Sequence, residues 1–82
     1  MSDILEEANN VIAGPRQDAY GPPKENFTKI ASMWKAYLGV DVSAQDVALM
    51  MVLLKVARVN NKASRDTLVD IAGYSALADI LD

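Results

Sequence analysis

Apolar residues recur at helical spacing through four stretches of the chain, and no stretch alternates long enough to predict a strand. Ile4, Leu5, Ala8, Val11 and Ile12 fall on one face of a helix over about 3–13, with Ser2 or Asp3 as its cap and Gly14-Pro15 as its stop. Phe27, Ile30, Ala31, Trp34 and Leu38 stripe a second helix over about 23–38; Pro23 suits its first turn and Gly39 its C-terminal cap. Ser43-Ala44-Gln45-Asp46 is a capping-box variant that opens a third helix over about 44–60, with Asp in place of the usual Glu. Ser64 caps a fourth over about 65–81. There Leu68, Ile71, Ala72 and Ser75 line one side, and Val69, Gly73, Ala76 and Ile80 line the next.

The third helix breaks the amphipathic pattern. From Val47 to Leu54 every residue is apolar, so every face is apolar, and such a helix is stable only when covered on all sides. Four short helices cannot surround one of their own number. The expectation is an all-α four-helix unit completed by oligomerisation, with a second subunit covering part of this helix. The same run is eight residues long, far short of the roughly 20 a membrane span needs. Residues 14–23 hold two glycines and three prolines in ten positions and read as a loop carrying Arg16, Asp18 and Tyr20.

Composition narrows the chemistry. The chain has 82 residues, room for one domain, spanning 1–82. It contains no cysteine and no histidine, which removes disulfides, thiolate zinc sites and the commonest general base. A metal site would have to be built from oxygen ligands, the chemistry of magnesium, manganese or calcium. A net charge of −3 argues against broad nucleic-acid binding, which uses a basic footprint. The N-terminus is acidic and lacks the order of a signal peptide, so the expected location is the cytoplasm. The chain carries no P-loop, no Gly-x-Gly-x-x-Gly and no serine–histidine pair.

The remaining polar groups fall on shared faces. Lys55 and Arg58 are neighbours at i, i+3 on the third helix, while Asp66, Asp70 and Tyr74 share a stripe at i, i+4, i+8 on the fourth. Two carboxylates one turn apart repel unless a cation lies between them. They either hold a divalent cation or pair with Lys55, Arg58 or Arg65, and Asp66 also suits a helix N-terminus. Glu25 in the first turn of the second helix complements the dipole, and Lys24 and Asn26 stand beside it. Trp34 and Tyr37 read as core or interface residues. Tyr20 beside Arg16 either plugs the loop onto the helices or stacks on a nucleotide.

Several elements in order carry a resemblance. Arg16-x-x-x-Tyr20-Gly21, Glu25-Asn26-Phe27-x-x-Ile30-Ala31-x-x-Trp34, Asp46-Val-Ala-Leu-Met-Met51, Leu54-Lys-Val-Ala-Arg58 and Asp66-Thr-Leu-Val-Asp70-Ile-Ala-Gly-Tyr74 together resemble a phage and prophage protein family of unassigned function. More distantly, the order is similar to nucleotide-modification-associated helical domains and to MazG-like nucleoside triphosphate pyrophosphatases. That resemblance implies a MazG-like fold, usually dimeric or tetrameric, with magnesium as cofactor. It implies Glu25, Asp66 and Asp70 as metal ligands, Arg16, Lys55 and Arg58 around phosphates, and Tyr20 and Asn26 against base or sugar. The chain departs from the pyrophosphatase pattern of two acidic pairs: Glu25 stands alone with Thr28 where its partner would fall, and Asp66 and Asp70 are four apart rather than three. Three functions follow as expectations: a magnesium-dependent nucleotide pyrophosphohydrolase or its degenerate form, a non-catalytic phage accessory protein acting as a nucleotide sponge or host-protein inhibitor, and a structural oligomer module.

Overall fold

The structure, a computed structural model, describes residues 2–13 and 21–81. The described residues form four helices and no strand: α1 Ser2–Ala13, α2 Pro23–Leu38, α3 Ala44–Ala57 and α4 Arg65–Ile80. The expected Arg16, Asp18 and Tyr20 lie outside the described residues.

The helix ends follow local chemistry. Pro23 opens α2, and Gly39 closes it with φ 76°, its N–H donating to the Lys35 carbonyl at 2.8 Å. The capping box on α3 is complete: Asp46 N–H donates to Ser43 Oγ at 2.9 Å and Ser43 N–H donates to Asp46 Oδ2 at 3.0 Å. Ser64 Oγ accepts from Thr67 N–H at 3.1 Å to start α4. α3 ends at Ala57 rather than at residue 60. Arg58 N–H is shared between the Leu54 and Lys55 carbonyls at 3.2 and 3.3 Å, a tightened last turn that ends the helix before Asn60-Asn61. α4 stops at Ile80, one residue short of the expected end, with Leu81 extended and buried.

In space the helices run α2, α3, α4, α1. α3 packs on α4 most extensively and on α2 along its other flank, while α1 lies on the far side of α4. The resulting body measures 39 × 30 × 20 Å. Phe27 and Ala31 of α2, Ala44, Val47 and Ala48 of α3, and Tyr74, Leu77, Ala78 and Leu81 form the core, with Ile30, Trp34 and Met51 packed against it. Phe27 and Tyr74 meet with ring centroids 6.3 Å apart at a tilt of 42°. Gln45 ties the start of α3 to the end of α4 by donating to the Ala78 carbonyl at 2.8 Å.

The buried face of α4 differs from the expected one. Val69, Gly73, Tyr74, Leu77 and Ala78 are buried, whereas Ile80 and Ala76 are exposed. The reason is α1. It docks over Gly73, where an added Cβ would stand 3.1 Å from Ile12 Cγ2 and 3.9 Å from the Ala8 carbonyl oxygen. α4 is therefore clasped from two sides, and its buried arc turns to face both neighbours. Arg65 is drawn to the same contact, donating from Nε and Nη2 to Glu7 Oε2 of α1 at 3.2 and 3.1 Å. It is not a partner for Asp66 or Asp70.

Candidate functional site

Lys55 stands in the last turn of α3 and Asp70 in the second turn of α4, and the antiparallel packing of these helices brings them together. Lys55 Nζ lies 2.9 Å from Asp70 Oδ2, with both side chains half-buried at 19 and 34% exposure. The pairing was expected in kind. Lys55 takes the carboxylate, and Arg58, three residues further on, is exposed and makes no ion pair with any described residue.

The other expected groups are dispersed. Asp66, one turn before Asp70, is exposed, as is Glu25 in the first turn of α2, and Asn26 is half-buried. Among the described residues no group of three acidic side chains is close enough together to hold one metal ion. Glu25, Asp66 and Asp70 are therefore not gathered into one three-acid cluster, and a magnesium ion there would rest on one or two carboxylates with waters or substrate oxygens. The cavity beside Asp70, lined also by Val11, Ile12, Gly73 and Tyr74, measures about 10 Å³. That is room for about one water and far too little for a phosphate.

Two larger depressions lie elsewhere. One, of about 320 Å³, runs between α2 and the start of α3 and carries Lys24, Thr28, Ser32, Lys35 and Ser43. Its cations are partly engaged: Lys35 Nζ sits 2.9 Å from Asp41 Oδ1. The hydrogen bond from Lys35, with its charge, holds the Asp41 carboxyl below its ordinary value of 3.8. The Asp46 carboxylate, closing the capping box, takes the Ser43 N–H at the same mouth.

The other depression, of about 270 Å³, is almost wholly apolar and is lined by Trp34, Tyr37, Leu38 and Met50. It lies on the open side of α2 and α3. Beside it α3 presents Leu49, Leu53 and Leu54 to solvent, with Leu53 67% exposed, and Tyr37 on α2 is 89% exposed. Of the two aromatics expected in core or interface, Trp34 packs against the core and Tyr37 stands open to solvent. The groove itself depends on how α2 and α3 cross, which periodicity does not specify.

These features describe a small all-helical protein with a half-buried ion pair and a broad apolar flank. The sequence comparisons narrow that class. The description "Domain of unknown function (DUF6378)" matches residues 3–82, and the chain belongs to this family. The Gene 55 protein of Mycobacterium phage L5 is 47% identical over 78 residues, and that of Mycobacterium phage D29 is 44% identical over 77 residues. Each alignment covers 93% of this chain but 50 and 51% of the relative, so the chain spans about half the length of the curated relatives it matches. The family is thus an uncharacterised one with phage members. No solved structure matches the chain. Among the described residues no helix is long and apolar enough to cross a membrane.

Proposed function

We propose that the chain is a non-catalytic phage accessory module that works by self-association, joining copies through the open side of α2 and α3. One observation carries this reading: α3 is apolar toward the core and toward water alike. Ala44, Val47 and Ala48 are buried on its inner side, and Leu49, Met50, Leu53 and Leu54 are exposed on its outer side. A surface helix ordinarily presents charge there, and a contiguous apolar patch marks an interaction site. The remaining chemistry fits a scaffold, since the Lys55–Asp70 pair neutralises itself between α3 and α4. Sedimentation equilibrium or light scattering over a micromolar range tests the proposal. A mass at least twice the 8.9 kDa of one chain is expected. A single-chain mass at every concentration would remove it.

A second reading comes from the resemblance: MazG-like nucleotide binding or pyrophosphate hydrolysis, with magnesium on Glu25, Asp66 and Asp70, phosphates on Arg16, Lys55 and Arg58, and Tyr20 and Asn26 against the nucleoside. The convergence of Lys55 and Asp70 supports it. No cluster of three acids gathers among the described residues, so it ranks second. Calorimetric titration of nucleoside triphosphates with and without magnesium separates the two. Magnesium-dependent heat that vanishes in Asp66→Asn would favour the nucleotide reading.

A further inference from the structure

We infer that the occupant of the apolar groove is a second copy of this chain, seated by a twofold axis so that Leu53 of each copy enters the groove of the other. The inference rests on the self-association reading and adds the face, the symmetry and the contact.

Three observations on one surface carry it. The first is shape. A hole of about 270 Å³, walled by Trp34, Tyr37, Leu38 and Met50, lies beside a ridge of α3 that carries Leu49 and Leu53. Leu53 follows Met50 by three residues, so hole and knob are one turn apart on the same helix. A twofold contact uses the same patch on both subunits, so a patch holding both a knob and its hole is self-complementary.

The second is charge. Each chain carries −3, and two copies meeting face to face would repel if their acids were juxtaposed. Tyr37, Leu38, Leu49, Met50, Leu53 and Leu54 carry no charge of their own, and the nearest acid on α3, the exposed Asp46 one turn before Leu49 and Met50, is engaged with the Ser43 N–H. These six residues equally offer nothing to pair with the charges of an acidic or basic partner peptide.

The third is area. At their fractional exposures these six residues leave on the order of 650 Å² open, close to the roughly 800 Å² that each partner contributes to a standard interface.

The absence of cysteine makes the test clean. Purified Leu53→Cys and Leu38→Cys chains are mixed and mildly oxidised, with Leu5→Cys, an exposed position on α1, as control. The 53–38 disulfide should form as the dominant product, and Leu5→Cys should stay monomeric on denaturing gels. In parallel, Leu53→Glu should weaken dimerisation by about thirtyfold or more by sedimentation, the loss typical of a central interface residue. Circular dichroism should show an unchanged helix content, because Leu53 faces solvent in the single chain. A dimer that survives Leu53→Glu, or that cross-links through Leu5 and not through 53 and 38, overturns the inference while leaving self-association intact. A wild-type monomer overturns both.

Discussion

Replacing Asp70 by asparagine removes the carboxylate from Lys55 while keeping the shape of the side chain. Lys55 is only 19% exposed, so its ammonium would be left poorly hydrated at the α3–α4 junction. Breaking a fully buried pair costs about 3–5 kcal/mol and breaking an exposed one about 0.2–1 kcal/mol. Asp70 is 34% exposed, which lets water reach the pair and places the cost at about 1–2 kcal/mol. For a domain this small each kcal/mol shifts Tm by about 4–8 °C, so Asp70→Asn should melt about 4–16 °C lower. Thermal melts followed by circular dichroism, at one fixed protein concentration because association stabilises, measure it. A double-mutant cycle with Lys55→Met isolates the pair, and the double variant should recover about 1 kcal/mol relative to the sum of the singles. An Asp70→Asn chain as stable as the wild type, or more so, would refute the reasoning. It would show a carboxylate kept for something other than holding α3 to α4, as at sites where stability is sacrificed to function.

Other outcomes follow from the helix ends and the surface. Ser43→Ala removes the hydroxyl half of the α3 capping box and should cost about 1 kcal/mol by denaturant titration. Gly39→Ala forces a side chain into the left-handed backbone at φ 76° and should cost about 1 kcal/mol by the same measurement, although no neighbour stands within 4 Å of the new Cβ. The carboxyl of Asp41 titrates below 3.8 when folded, so its small contribution is present above that value and is lost as pH falls through the lowered one. Melting temperatures of wild type and Asp41→Asn should accordingly differ near neutral pH and converge in acid.

Much of the fold was legible because it rests on short-range chemistry. Ser43, Asp46, Ser64, Gly39 and Pro23 act within a turn of themselves, so four of the helix boundaries could be read locally. The end of α3 was missed because the chain leaves the helix at Arg58 through a tightened last turn that no glycine announces. The buried arc of α4 was misjudged because its decisive neighbour, α1, is some sixty residues away in sequence, and spacing along α4 carries no trace of it. The candidate site divides the same way. Stripe geometry put Asp70 within reach of a basic residue on α3, but which cation it would meet, and whether Asp66 and Glu25 would join, depended on helix crossing.

The Asp66-to-Tyr74 stretch drew notice for its acids, yet its glycine has the clearest physical assignment. With an Ile12 methyl 3.1 Å from where a Cβ would stand, position 73 sets how near the first helix can ride to the last. Family members should vary at these two places in concert: a relative with alanine at the glycine position should carry a smaller side chain opposite it, or its first helix must ride a few tenths of an ångström further out.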